Sequence, residues 1–300
     1  MNKFKNFIAL LLISILVISC GTEKSSKNKV FVSILPQKHF VKAIAGDKFE
    51  IDVMVRPGLS PATYEPLPQQ ILALGESKLY FRIGVPFEKS WIDKIAANNK
   101  NLKIIDTRKN IELRSFETFE EMSEEGHNHD HSHHGHDHGA KDPHIWLDPH
   151  IVKTQAKTIC EALVSIDQTN ADFYKTNLEK FLLKLDTLDA ELFNITLASE
   201  NKKFLVFHPS WGYFADRYDL QQFSIEFEGK EPSPSQLTQI IDYLKKNDIK
   251  TIFVQKQFST TSAETIAREI NGNVKTLDPL SENYFENLIY MAKEIAGVKK

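Results

Sequence analysis

The feature that most constrains this chain is a helical stretch at its centre, over 170–197, that contains no Gly and no Pro. Its apolar residues Phe173, Leu178, Phe181, Leu182, Leu185, Leu188, Leu192 and Phe193 recur at helical spacing and form a stripe along one side. At the usual rise per residue such a helix extends about 40 Å, long enough to cross the back of two domains. A shorter helical stretch over 154–166 precedes it.

On both sides of these helices, short apolar runs alternate with amphipathic ones. Before them the pattern predicts strands over 30–35, 49–55, 79–83 and 102–105, and helices over 36–44, 69–77 and 86–97. The stretch 56–68 is rich in Pro and Gly and must be loop. After them it predicts strands over 204–207, 223–227, 251–254 and 274–277, and helices over 211–218, 236–247, 263–270 and 282–296. This rhythm implies mainly parallel sheets with helices on both faces. The expected fold is α/β: two lobes, each with a mainly parallel sheet flanked by helices, joined by a long rigid linker helix. The expected boundaries are 30–150 for the N-terminal lobe, 151–200 for the linker helices and 201–300 for the C-terminal lobe. No internal sequence repeat supports a duplication.

The first residues read as an export signal over 1–19: Lys3 and Lys5, then an apolar run over 7–18 too short for a comfortable membrane span. The run ends Val17-Ile18-Ser19-Cys20, which resembles a bacterial lipobox. Cleavage before Cys20 would leave that residue carrying a thioether-linked diacylglycerol. Each buried methylene contributes about 0.8 kcal/mol, so two or three acyl chains hold a protein to a membrane. Residues 20–29 then form a polar, lipid-anchored tether. The expected location is extracytoplasmic and membrane-anchored, in the periplasm or at the cell surface. With Cys20 lipidated, Cys160 stands alone, which excludes an intrachain disulfide; in Ile159-Cys160-Glu161-Ala162-Leu163 it reads as a small core hydrophobe. The net charge of −3 falls to −5 once Lys3 and Lys5 leave with the signal. No basic stripe is present, so nucleic acid is not an expected partner.

Seven of the eleven histidines crowd one segment: His127, His129, His131, His133, His134, His136 and His138. Only Asn, Asp, Ser and Gly separate them, and an acidic stretch over 117–125 precedes them. With nothing apolar between Gly126 and Gly139, the segment cannot bury a core, and 117–139 is expected to be a mobile loop. Imidazole suits zinc, copper, nickel and iron, so such a loop can collect metal ions at overlapping sites.

Ligands of open parallel sheets bind beyond the carboxyl ends of the strands. Two candidate metal ligands fall there, His208 after the strand over 204–207 and Asp278 after the strand over 274–277. A third, His144, lies in the Pro-framed turn DPHIWLDP before the linker helices. Two imidazoles and a carboxylate make a plausible shell for zinc, with room for a fourth group. Each also has a structural reading. His144 could brace a turn, Asp278 could cap the closing helix, and His208 could be a satisfied buried histidine.

The stretches ILPQKHFVKAIAGD, PGLSPATYEPLPQQ, DPHIWLDP, FHPSWGYFADRYDL, GKEPSPSQL and TLDPL, with the His-rich loop before DPHIWLDP, cover nearly the whole mature length. In this order around a long helix, the chain resembles the cluster 9 solute-binding proteins, the metal-binding lipoproteins of bacterial zinc and manganese ABC importers. The resemblance implies two α/β lobes joined by a rigid helix with the metal between them. It also carries three of the family's ligand positions onto His144, His208 and Asp278. The fourth departs: where the family usually has His, the loop Ser60-Pro61-Ala62-Thr63-Tyr64-Glu65-Pro66 has Ala62. Water, Glu65, a histidine of the flexible loop or His39 could fill the gap; His39 follows the first strand by a helical turn, although a surface histidine is its ordinary reading. Gln255 and Gln257 share that edge, but amide oxygens are weak zinc ligands.

The expected function is therefore that of an extracytoplasmic lipoprotein that captures Zn2+ (Mn2+ as the alternative) and hands it as a monomer to an ABC permease. It performs no chemistry on a substrate. Two rivals stay open: a metal-storage or adhesin lipoprotein in which the His loop is the whole function, and a secreted zinc hydrolase using the open fourth position with Glu65 as base. No H-E-x-x-H helix accompanies the latter.

Overall fold

The structure, a computed structural model, describes residues 28–117, 141–199, 202–226, 230 and 232–298. The expected export signal, Cys20 and the histidines of the 117–139 loop lie outside the described residues. The first lobe runs β1 (Asn28–Val32), α1 (Leu35–Ala45), β2 (Phe49–Val53), α2 (Pro68–Gly75), β3 (Leu79–Arg82), α3 (Pro86–Asn98) and β4 (Lys103–Asp106). A 3-10 turn (Ile145–Leu147) leads into α4 (Pro149–Ile166) and the long α5 (Ala171–Leu197). The second lobe follows as β5 (Lys203–Val206), α6 (Gly212–Arg217), β6 (Gln221–Ser224), α7 (Pro234–Lys246), β7 (Thr251–Gln255), α8 (Thr261–Glu269), β8 (Asn273–Leu277) and α9 (Tyr284–Ile295).

Every strand pair is parallel, and the sheet orders are β2-β1-β3-β4 and β6-β5-β7-β8. The two lobes thus share one topology, a repeat that the sequence does not display. Each has its switch point beside its first strand, between β1 and β3 and between β5 and β7. Central strands read as continuous apolar runs because helices cover both faces: Leu79, Tyr80 and Phe81 are fully buried, whereas the edge strand β8 is half exposed.

Side chains of the second sheet alternate between two cores. Leu205, Phe207, Ile252 and Val254 pack against Ile240 and Leu244 of α7 and Ile266 of α8. Phe204, Val206, Phe253 and Leu277 face the other way and join a core that also holds Val32, Phe40, Phe181, Leu188 and Met291. One apolar core therefore runs from the first sheet through the linker helices into the second. A seam of this kind resists the free domain motion expected of small polar interfaces.

Helix α5 packs on α1, α4 and α9, drawn from both lobes. Its buried stripe is Tyr174, Phe181, Leu185, Leu188 and Leu192, with Leu178 and Leu182 partly covered. Phe173 and Phe193, expected in the stripe, are 41% and 53% exposed. Each lies one position round the helix from the residue that faces inward, Tyr174 and Leu192. Helix α4 starts at Pro149, five residues before the apolar pattern does, because Asp148 caps it: its carboxylate accepts from the N–H groups of His150 (2.7 Å) and Ile151 (3.4 Å). Such a cap contributes about 1 kcal/mol. Cys160 is a free thiol buried on α4, and burial pushes its pKa up.

Candidate metal centre

His208 stands at the switch point of the second sheet, two residues past the end of β5. Its backbone is clamped by the buried Gln255 at the end of β7. Gln255 Oε1 accepts from the His208 N–H at 3.4 Å, and its Nε2 donates to the His208 carbonyl at 2.6 Å and to Ser210 Oγ at 3.1 Å. The ring stacks on Phe258 (5.1 Å between centroids, 23° between planes), and Nδ1 lies 3.0 Å from Glu226 Oε1. Glu226 is itself 4% exposed and sits just past β6.

His144 reaches the same place from the turn before α4. Its Nδ1 lies 2.7 Å from Oδ1 of Asp142, and the same oxygen accepts its backbone N–H at 2.9 Å. Its ring packs on Trp146 at 5.1 Å and meets His208 edge to face at 5.3 Å between centroids. Burial holds the His144 pKa below its ordinary value, opposed by Asp142 and reinforced by His208 and Arg114. The ring is thus neutral at neutral pH, the form that binds a metal. In both rings a buried carboxylate engages Nδ1, and among the described residues neither Nε2 has a hydrogen-bond partner. Carboxylates placed so fix the tautomer and aim the other nitrogen at an ion.

Asp278 follows β8 and lines a cleft of about 130 Å³ between the lobes, together with Arg56, Pro57 and Gly58 of the loop after β2 and with Gln257 and Ser281. Its Oδ1 accepts from the Leu280 N–H at 3.0 Å, and Oδ2 pairs with Lys256 Nζ at 3.3 Å. Gln257 Nε2 is 3.5 Å from Oδ1. The Asp278 turn is tied to His144 through Trp146, whose Nε1–H donates to the Pro279 carbonyl at 2.7 Å, and Tyr284 Oη donates to the Trp146 carbonyl at 2.8 Å. The structure brings the two imidazoles into contact. Among the described residues it gathers no three His, Cys, Asp or Glu side chains closely enough to hold an ion.

The family model described as "Zinc-uptake complex component A periplasmic" matches residues 30–298. The chain belongs to this family. It is 30% identical to the high-affinity zinc uptake system protein ZnuA of Bacillus subtilis (strain 168), over 92% of this chain and 89% of that one. It is 28% identical to a putative metal-binding protein of Chlamydia muridarum, over 94% and 96% of the two chains. Among solved structures, a crystal structure of ZnuA superposes with a TM-score of 0.81 at 42% identity, covering 90% of this chain and 98% of the other. A zinc-bound deletion mutant of ZnuA gives 0.80 at 42% identity, covering 90% and 96%. The expected α/β fold, with two parallel sheets and a long linker helix, is what the zinc-uptake component A family shares.

The positions offered for a fourth ligand in this family member are dispersed. Ala62 is exposed, and its N–H donates to Ser60 Oγ at 3.2 Å. Glu65 is exposed in a pocket beside Ser60 and Thr63 and does not line the Asp278 cleft. His39 is not brought to the imidazole pair. Its Nδ1 lies 3.1 Å from the Glu282 carbonyl, and its ring sits among Phe181, Tyr284 and Phe285 on the linker-helix side, where burial lowers its pKa. Helical phase explains this: α1 begins at Leu35, and His39, one turn on, turns toward α5 and α9. Sequence reasoning missed Asp142 and Glu226, the carboxylates that orient the pair. Asp142 was in view as the first residue of DPHIWLDP. Glu226, one acid in a strand-end run, gave no signal without the fold.

Proposed function

We infer that this protein captures zinc outside the cytoplasm and delivers it to the permease of an ABC importer, with His144, His208 and Asp278 as protein ligands. The observation that carries this reading is the edge-to-face pair of imidazoles from two separate parts of the chain, each with Nδ1 held by a buried carboxylate. Zinc favours nitrogen and oxygen donors in tetrahedral number, so two imidazoles and a carboxylate leave one position for a fourth group. Asp278 supplies the anionic donor once it exchanges the exposed Lys256 for the ion. Family membership sets aside the hydrolase reading, since the family's role is metal uptake and no step on a substrate is needed. One chain supplies both imidazoles, so capture requires no second copy.

The His-rich loop is read as an auxiliary collector that raises local zinc near the cleft, and Cys20 as the lipid anchor that keeps the protein beside its permease. The deciding experiment is a zinc titration of the mature protein lacking residues 117–139, followed by elemental analysis. One tight equivalent is expected to survive while weaker equivalents disappear. Loss of all zinc binding would make the loop the functional site and favour storage.

A further inference from the structure

The root of the 117–139 loop is built around one guanidinium. Tyr213 Oη of α6 accepts from the Arg114 N–H at 3.0 Å and donates to the Asp142 carbonyl at 2.9 Å. The Asp142 N–H returns to the Arg114 carbonyl at 3.0 Å, and Ser115 bridges Lys141 in antiparallel fashion. The Arg114 side chain then turns inward. Nη1 lies 3.5 Å from Asp142 Oδ2, Nε 3.0 Å from Asp216 Oδ2 and Nη2 3.4 Å from Glu117 Oε1, while the guanidinium lies 5.9 Å from the Tyr213 ring centroid.

Asp142 is fully buried, and its Oδ2 accepts no hydrogen bond from the described residues. A buried carboxylate with an unmet oxygen is costly unless a charge compensates it. Among the described residues Arg114 is the Lys or Arg paired with it. The carboxylate's other oxygen holds His144 Nδ1. The guanidinium fits only because residue 212 has no side chain: a Cβ there would stand 1.5 Å from Arg114 Nη1 and 3.0 Å from Asp142 Oδ2.

We propose that Arg114 is a positioning residue for zinc capture, holding the Asp142 carboxylate against His144, with Gly212 as the space that admits it. The same residue carries Glu117, the first acidic residue of the His-rich loop. It therefore links the root of the loop mechanically to the ligand-orienting carboxylate. The proposal rests on His144 being a zinc ligand.

The test measures zinc Kd by chelator competition in the loop-bearing mature protein. Arg114→Gln and Gly212→Ala are each expected to weaken zinc by about ten-fold, the low end for loss of a group supporting a ligand. Arg114→Lys restores part of the affinity. In an Asp142→Asn background, Arg114→Gln causes no further loss, because both act through one carboxylate. Gly212→Ala likewise adds nothing to Arg114→Gln. A structural role alone would lower the melting temperature and leave Kd in place. Wild-type Kd in folded Arg114→Gln, or additive losses with Asp142→Asn, overturns the proposal. Where Arg114→Gln does not fold, Gly212→Ala and Arg114→Lys decide, and wild-type Kd in both overturns it. Wild-type Kd in His144→Ala instead overturns the ligand assignment beneath it, so the two failures are distinguishable.

Discussion

Trp146→Phe probes the link between the two halves of the site. Trp146 is 1% exposed, and its Nε1–H is the donor to the Pro279 carbonyl, next to Asp278. Phe keeps the aromatic contact with His144 and removes that donor. Leaving a buried acceptor unsatisfied costs about 1–3 kcal/mol, and the smaller ring adds on the order of 1 kcal/mol for the space it vacates. The sum, about 2–4 kcal/mol, corresponds to a fall of roughly 4–7 °C in the melting temperature of a protein of this size. Because the Asp278 turn loses its tether to the His144 turn, zinc should also bind about ten-fold more weakly. Differential scanning calorimetry of the zinc-free protein and chelator competition for zinc read the two effects. A lowered melting temperature with wild-type zinc affinity would refute the idea that this hydrogen bond holds the site, and an unchanged melting temperature would refute the energetic argument.

Other outcomes follow from the same geometry. Burial lowers the pKa of His144 and of His39 below the ordinary value near 6.5, so below that pH the unfolded chain binds more protons than the folded one. The melting temperature of the zinc-free protein is therefore expected to be steady above about pH 7 and to fall as pH drops below about 6.5, with a smaller fall in His39→Gln; a flat profile would contradict this. Ala62→His adds an imidazole to the loop whose neighbours Pro57 and Gly58 line the cleft, and tighter zinc by chelator competition is expected, whereas no change would place residue 62 out of reach of the ion. Cys20→Ala should leave the protein unprocessed or released; normal partitioning of the variant into a detergent phase would show that Cys20 is not the anchor.

Much of the fold was legible because parallel strands covered on both faces are short apolar runs between amphipathic helices, and Leu79–Arg82 or Thr251–Gln255 can be little else. Boundaries failed where side-chain chemistry outranks periodicity. Asp148 and Pro149 start α4 a turn early, and Ser233, whose Oγ accepts from the Gln236 N–H, starts α7 at Pro234. The phase of α5 failed at Phe173 and Phe193 because an amphipathic pattern does not say which edge of a stripe meets a neighbour. At the site, His208 was readable from its place after a strand, and the structure brings His144 beside it. The groups that orient them were not. Asp142 contacts His144 locally, but its burial depends on α6, and Glu226 meets His208 only because β5 and β6 are parallel neighbours. His39 lies on the α5 side of α1, beside Phe181, Tyr284 and Phe285, because proximity to a strand end does not settle which side of the helix a residue occupies.

Zinc affinities of His144→Ala, His208→Ala and Asp278→Ala in the protein lacking residues 117–139, where the loop histidines cannot substitute, test the proposed ligands most directly. Each substitution is expected to weaken the tight site by at least about ten-fold and to shrink the rise in melting temperature that zinc confers on the parent. Parental affinity in both histidine variants would contradict the assignment of the imidazole pair as the zinc site.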